Sequence, residues 1–269
     1  LLYERKRLTI RVQLSSELTV LANLLDSIAQ RERHTRDFTL NGLREALTEV
    51  VACFPVYRTY VTSNRVSDED RQFIHWAVAQ AKKRSLAGDV SIFDFVRDIL
   101  LLEDMDDKDE DYRRSTAELV KRFQQYTAPV MAKALEDTTL YIYNRLSSLN
   151  DVGYDPRRFG LSVAAFHHVN AERAQRWPHC MINTSTHDSK RSEDVRARIN
   201  VLSEIPEEWR KHLSRWSRLN RNRRGEVDNR SAPSRNDEYL FYQTLVGTWP
   251  IELIDDAQLE QYRERIEAY

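Results

Sequence analysis

The chain has 269 residues, which is enough for a substantial hydrophobic core or for two domains. Its 41 lysines and arginines balance 42 aspartates and glutamates, so the net charge of −1 gives no whole-chain reason to expect binding to nucleic acid or to an anionic membrane. Only 6 glycines and 7 prolines occur, which favours long helices over a many-turned β-sandwich or propeller. The glycines form no nucleotide-binding loop motif.

The two cysteines, Cys53 and Cys180, are far apart and lie in no C-x-x-C motif. They indicate neither a disulfide framework nor a cysteine zinc site, and a reducing cytoplasm is the predicted compartment. We see no apolar run long enough to span a membrane and no secretory leader. The sequence begins in a helix-like segment without an initiator Met, so we interpret it as a fragment of a longer protein.

Apolar residues at helical spacing predict helices in the first half of the chain. One is expected over residues 17–29, a second from Asn41 until Pro55, and a third over residues 67–85, where Ser67 and Asp70 resemble a capping box. Residues 56–61 are rich in β-branched and aromatic side chains and predict a short strand.

Another helix is expected to begin at Ser91. The acidic run at residues 103–111 partly matches an EF-hand loop, but Tyr112 stands where that loop needs glycine. We therefore interpret the run as a solvated loop that precedes one or two helices over residues 115–150, with an interruption or kink near Pro129.

The second half is predicted to be helical around residues 169–176, 192–202, 206–219 and 238–246. Between these helices, the partly apolar residues 180–184 predict a buried strand, and the polar, basic residues 221–235 predict a mobile loop.

Two clusters contain residues that could bind a ligand, but each also has a purely structural explanation. Four histidines (His167, His168, His179 and His187) lie close together, but no H-E-x-x-H occurs and we predict no metal site and no cofactor. The basic residues 210–230 with Trp209 and Trp216 could suit single-stranded nucleic acid. The tryptophans are spaced to anchor a helix to a core, so we predict no nucleic-acid partner.

The densest polar segment, residues 184–198, follows the predicted strand and precedes a helix. In a β/α barrel, side chains at the carboxyl end of such a strand face the active site. The alternative is that Ser192 caps the next helix, with Glu193 and Asp194 in its first turn. Both interpretations stay open from the residues alone.

The motif THDSKRSEDVRARI in this segment resembles a motif of maltooligosyltrehalose synthases, which are members of the α-amylase superfamily of glycoside hydrolases. Further similarity follows in the same order along nearly the whole chain. It lies at residues 54–60 (FPVYRTY), 122–129 (RFQQYTAP), 132–138 (AKALEDT), 143–146 (YNRL) and 235–239 (RNDEY).

The resemblance implies a retaining mechanism with three acids, of which the third follows a histidine. Here that pair is His187 and Asp188. The implied role of Asp188 is to hold sugar hydroxyls and stabilise the transition state, while His187 contacts the same sugar. We find neither the nucleophile nor the acid/base motif in this sequence, and expect the isolated fragment to be inactive.

The implied reaction converts the reducing-end α-1,4 linkage of a maltooligosaccharide into an α,α-1,1 linkage within one molecule. Water must be excluded while the released glucose is reoriented. Lys190 and Arg191, close to Asp188 in sequence, are candidate substrate-binding residues. Further candidates for the wall of the site come from the other matching motifs: Arg58, Tyr60, Lys133, Glu136, Asp137, Tyr143 and Arg145. Helix-packing ion pairs and buried hydroxyls are an equal alternative for these.

We therefore predict a mainly α fold, with a large helical subdomain and a few strands of an incomplete (β/α)8 barrel. Residues 1–128 are assigned to the helical insertion and residues 129–269 to the helix-rich, C-terminal part of the barrel region. The expected partners are a maltooligosaccharide substrate and a functionally linked trehalohydrolase, with no membrane. The alternatives are another α-glucan-active glycosidase and a non-enzymatic helical interaction module.

Overall fold

Helices dominate both of the compact units into which the chain divides. The computed structural model describes residues 1–85, 90–155, 158–252 and 255–269. The N-terminal unit is Leu1–Tyr141 and the C-terminal unit is Ile142–Tyr269. The prediction of a mainly α fold is confirmed. The predicted division at residues 128 and 129 falls inside a helix, and its assignment to an insertion and a barrel region stays a prediction.

Within its described residues, the N-terminal unit has six α-helices packed around one apolar core. The helix predicted over residues 17–29 forms because Leu18, Leu21, Leu25 and Ile28 lie on one face, and all four are buried. The helices are α1 (Leu2–Val12), α2 (Ser15–Ala29), α3 (Leu40–Cys53), α4 (Asp68–Arg84), α5 (Ser91–Leu100) and α6 (Glu110–Leu135).

Local signals set several of the helix ends. Ser67 and Asp70 form the predicted capping box at the start of α4, each side chain accepting from the other's backbone N–H. Helix α3 ends at Cys53, two residues before Pro55. The predicted interruption near Pro129 does not occur, since α6 continues through it to Leu135, and the alternative of a kink there stays a prediction. Buried side chains on both sides of the proline hold the helix against the core.

The strand predicted over residues 56–61 is also wrong. These residues are irregular, and Thr62 and Arg65 form only an isolated bridge. Their backbone is bound by side chains instead. The Tyr60 N–H donates to the Asp70 carboxylate at 2.9 Å. The Gln124 side chain accepts from the Val61 N–H and donates to the Val61 carbonyl.

The C-terminal unit has a smaller core, formed by Leu146, Ile199, Leu202, Trp209 and Tyr242. Its elements are α7 (Val163–Arg176), α8 (Glu193–Asn200), α9 (Pro206–Leu219), β1 (Gly225–Val227), β2 (Arg230–Ala232), α10 (Arg235–Thr248) and α11 (Asp256–Ala268).

Two tryptophans attach α9 to this core, as their spacing predicts. Trp209 is buried, and the half-buried Trp216 packs against it with ring centroids 5.9 Å apart. The loop predicted over residues 221–235 is corrected to include a hairpin, in which β1 pairs antiparallel with β2. Asp228 and Asn229 between the strands have φ of 50° and 59°, values that asparagine and aspartate tolerate best after glycine.

The buried strand predicted over residues 180–184 is wrong. These residues are irregular, with Met181 97% and Ile182 69% exposed. Local apolar character was the only signal for a strand here, and no neighbouring strand in the described residues pairs with it. Within the described ranges, the only named strands are β1 and β2. No helix in the described part of the chain is long and apolar enough to cross a membrane.

Helix α10 lies against α8 at Gly247. A Cβ built on Gly247 would lie 2.8 Å from Val195 Cγ1 and 3.0 Å from two side-chain atoms of Ile199. Gly247→Ala should therefore lower the free energy of unfolding by about 1–2 kcal/mol despite the better helix propensity of alanine. Denaturant unfolding measures this. Gly225→Ala is the control, because no atom lies within 4 Å of its built Cβ; equal effects of the two variants would contradict the prediction.

Lys6 should make the stability of the N-terminal unit depend on pH. Its side chain is buried and donates to the carbonyl of Phe54 at 2.6 Å, and burial lowers the pKa of its ammonium from 10.5 to about 8. Between these values the unfolded chain binds more protons than the folded one, so this residue makes stability rise with pH.

Between pH 8 and 10.5, Lys6 is expected to raise the free energy of unfolding by on the order of 3 kcal/mol. Burial raises the pKa of the Cys53 thiol to about 11, which acts in the opposite direction above pH 9, so the Lys6 effect must be isolated by difference. The free energy of unfolding of the natural chain minus that of Lys6→Met should increase across this range. For the exposed Lys83, the same difference between the natural chain and Lys83→Met should not change with pH. A difference that does not change with pH for Lys6→Met either would refute the assignment.

Candidate functional site

The predicted His187–Asp188 pair lies on an exposed turn that precedes α8. The Ser189 N–H donates to the Thr186 carbonyl at 3.1 Å, and the Thr186 N–H donates to the Ser189 hydroxyl at 3.0 Å. A third bond, 3.2 Å long, runs from the Asp188 N–H to the Thr186 hydroxyl. The turn therefore has a defined local shape, set by short polar side chains that bond nearby backbone groups.

The two functional groups of the pair are close to each other and accessible. His187 Nε2 and Asp188 Oδ2 are 3.4 Å apart, and the side chains are 90% and 65% exposed. An accessible carboxylate beside an imidazole can bind sugar hydroxyls and stabilise a developing positive charge.

Residues just before this turn attach it to α8. The Ser185 hydroxyl donates to the Glu193 carboxylate, which lowers the pKa of Glu193. The Arg196 guanidinium bonds both the Asp151 carboxylate and the Thr184 carbonyl. Ser192 occupies the N-cap position of α8, as the alternative interpretation expects, but its side chain makes no capping hydrogen bond.

Arg191 connects the turn to α10. Its Nη2 donates to the Thr244 hydroxyl at 3.3 Å, and its guanidinium carbon lies 5.5 Å from the centre of the Tyr269 ring. Lys190, like Arg191, is half-buried. Arg191 is thus tied to α10 three residues after Asp188 in the sequence.

The motif at residues 143–146 is held by a buried glutamine of α10. Gln243 accepts from the Ser147 N–H at 2.7 Å and donates to the Asn144 carbonyl at 2.9 Å. The Tyr143 carbonyl accepts from Asn150 Nδ2 at 2.8 Å, and the Arg145 carbonyl accepts from the Tyr239 hydroxyl at 3.0 Å.

This network fixes the backbone and leaves the side chain of Arg145 exposed. Its guanidinium carbon lies 4.5 Å from the centre of the Phe159 ring. Tyr143 is half-buried. These side chains therefore project from a rigid segment, as substrate-binding groups require.

Five of the predicted residues belong to the N-terminal unit, where they form two local groups. The Arg58 guanidinium carbon lies 4.7 Å from the centre of the Tyr60 ring, and that tyrosine is 70% exposed. Near the end of α6, Lys133 pairs with Asp137 at 2.8 Å, one helical turn away. Glu136 accepts a hydrogen bond from the Tyr57 hydroxyl, which brings the irregular segment to the end of α6.

Sequence reasoning missed the residues that position these segments. Gln124 and Gln243 are 3% and 0% exposed, and neither was selected as functional. In each case the signal available in the sequence was a glutamine on the apolar face of a helix. Gln124 follows Phe123 in α6, and Gln243 follows Tyr242 in α10. In the described stretches, no three His, Cys, Asp or Glu side chains are grouped so that they could hold a metal ion.

Comparison with known proteins identifies relatives of one kind. No protein-family model matches the chain. A Mycobacterium tuberculosis protein that carries the provisional name maltooligosyl trehalose synthase is 44% identical over 130 residues. That match covers 48% of this chain and 16% of the relative, so the matched stretch spans about one sixth of the length of these curated relatives.

Solved structures extend the similarity to almost every residue. A variant of the maltooligosyltrehalose synthase of Arthrobacter ramosus matches with a TM-score of 0.72 and 34% identity, covering 99% of this chain and 30% of that chain. A Sulfolobus tokodaii protein described as a hypothetical maltooligosyl trehalose synthase matches with a TM-score of 0.66 and 30% identity, covering 99% and 29%. The resemblance to maltooligosyltrehalose synthases that the motifs indicate is therefore confirmed.

Gln124 should be essential for the segment that carries Arg58 and Tyr60. Gln124→Leu leaves the N–H and the carbonyl of Val61 buried without partners and should lower the free energy of unfolding by about 3 kcal/mol. Chemical denaturation monitored by circular dichroism measures the loss. The neighbouring Gln125 is exposed, so Gln125→Leu is the matched control and should change stability little. A comparable loss in both variants would refute the role of the Gln124 amide.

Proposed function

We propose that this chain is part of an enzyme that converts the reducing-end α-1,4 linkage of maltooligosaccharides into an α,α-1,1 linkage by intramolecular transglycosylation. The observation that carries this proposal is the similarity to the Arthrobacter ramosus maltooligosyltrehalose synthase, with a TM-score of 0.72 over 99% of the chain. The chain corresponds to 30% of that structure, so the activity belongs to the longer protein.

In the proposed mechanism, Asp188 is the third catalytic carboxylate. It holds hydroxyls of the reacting glucose and stabilises the positive charge that develops as the glycosidic bond breaks. His187, whose Nε2 is 3.4 Å from the Asp188 carboxylate, contacts the same sugar. The nucleophile and the acid/base are supplied by parts of the longer protein that this sequence does not include.

The remaining predicted residues form one group in each unit, and both groups are assigned to sugar binding. Lys190 and Arg191 bind hydroxyls beside Asp188, and Tyr143 and Arg145 present their side chains from the segment fixed by Gln243. In the N-terminal unit, a second group contributes to the same function by excluding water while the released glucose turns. Its members are Arg58, Tyr60, Lys133, Glu136 and Asp137.

The architecture we propose for the longer protein is a (β/α)8 barrel with a helical insertion. Residues 1–128 belong to the insertion and residues 129–269 to the C-terminal part of the barrel region. The proposed enzyme is cytoplasmic and uses no cofactor, and it is functionally linked to a trehalohydrolase. The names of the relatives favour neither a hydrolytic α-glucanase nor a non-enzymatic interaction module.

Asp188→Asn in the full-length enzyme should reduce turnover at least about a hundredfold, because the variant keeps the shape of the side chain but loses its charge. The assay follows the loss of reducing ends and the appearance of trehalose-terminated products from maltopentaose. Asp256→Asn is the control, since this residue lies in the first turn of α11 and should keep normal turnover.

The 269-residue chain alone should give no product in the same assay. Near-normal turnover of Asp188→Asn would exclude the assigned role of that carboxylate. Release of glucose or maltose as the main products of the full-length protein would show hydrolysis and contradict the proposed transglycosylation.

A further inference from the structure

A basic groove with a volume of about 640 Å³ lies in the C-terminal unit, between α9, the turn that follows it and the first half of α10. Arg218, Arg221, Arg224 and Arg235 line it, together with one carboxylate, Glu238. We call these five residues and the space between them the arginine groove. None of its residues is assigned to the sugar-converting site.

The single carboxylate of the arginine groove is fully engaged. Glu238 is 8% exposed and forms an ion pair with Arg224. It also accepts hydrogen bonds from the Tyr242 hydroxyl at 3.0 Å and the Ser217 hydroxyl at 3.3 Å. Glu238 therefore compensates the charge of Arg224 and has little capacity left for a second guanidinium.

The other three arginines keep their charge uncompensated. Arg218, Arg221 and Arg235 are exposed, and within the described residues no carboxylate lies within 4.0 Å of any of the three guanidinium groups. Three uncompensated positive charges around one concavity repel one another, and an anion seated between them would relieve that repulsion.

We propose that the arginine groove binds the phosphate group of a small ligand, either a phosphomonoester or free phosphate. A guanidinium presents paired N–H donors that match two oxygens of a phosphate, and the charge of nearly −2 on a phosphomonoester matches this surplus of cations. The volume is in the range of small-molecule sites.

The aromatic residues beside the groove favour a small anion over a nucleic acid. Single-stranded nucleic acid needs exposed rings on which its bases can stack. Trp209 is 8% exposed and Tyr242 5% exposed, and Trp216 packs against Tyr242 with ring centroids 5.2 Å apart. Trp209 and Tyr242 belong to the core of the unit, so their faces are not available for base stacking.

Calorimetric titration of the 269-residue chain with inorganic phosphate, glucose 1-phosphate and maltose tests the proposal at constant ionic strength. Saturable binding is expected for the phosphates with a dissociation constant of about 1 mM or below, and none for maltose. Arg221→Gln combined with Arg235→Gln should weaken phosphate binding about tenfold or more. Tighter binding of glucose 1-phosphate identifies a phosphomonoester as the ligand, and equal affinity identifies free phosphate.

Arg176→Gln combined with Arg263→Gln removes the same charge from α7 and α11 and should leave phosphate affinity unchanged. Circular dichroism verifies that both double variants are folded. No saturable phosphate binding, or equal weakening in the two double variants, would overturn the proposal. Tighter binding of an oligonucleotide than of either phosphate, lost in Arg221→Gln with Arg235→Gln, would also overturn it, because the surface would then serve a macromolecule.

Discussion

Both units depend on the requirement that buried backbone groups outside helices find hydrogen-bond partners. In the N-terminal unit, one amide of α6 satisfies the N–H and the carbonyl of Val61, and in the C-terminal unit Gln243 does the same for Ser147 and Asn144. Each glutamine replaces the partner strand that these segments lack. An apolar residue of the same size would bury two unsatisfied polar groups, at a cost of about 1–3 kcal/mol each.

The two segments fixed in this way carry residues for which we propose contacts with sugar. Arg58 and Tyr60 lie next to Val61, while Tyr143 and Arg145 flank Asn144. Placing such side chains on irregular backbone allows them to project outward, and clamping that backbone from a helix keeps their positions fixed. A rigid clamp is therefore consistent with a binding role for segments that have no regular secondary structure.

Helix α10 organises much of the C-terminal unit. Its first half holds Glu238, which pairs with Arg224 in the arginine groove. Its second half holds Gln243, which bonds the backbone of residues 144–147, and Thr244, which accepts from Arg191. Near its end, Gly247 allows α8 to approach, and α8 begins directly after the turn that carries Asp188. One helix thus links the proposed catalytic turn, the proposed sugar-binding segment and the proposed phosphate site.

The sequence by itself determined most helices, the capping box of α4, the core role of Trp209 and, through its motifs, the family resemblance. These depend on local spacing or on residue identity, which a sequence displays directly. The tertiary structure decided what became of the two predicted strands, because residues 56–61 and 180–184 have β-forming composition but no strand to pair with in the described chain. It also decided the role of Gln124, since a polar residue on an apolar helix face acquires a function only from the distant backbone that it meets.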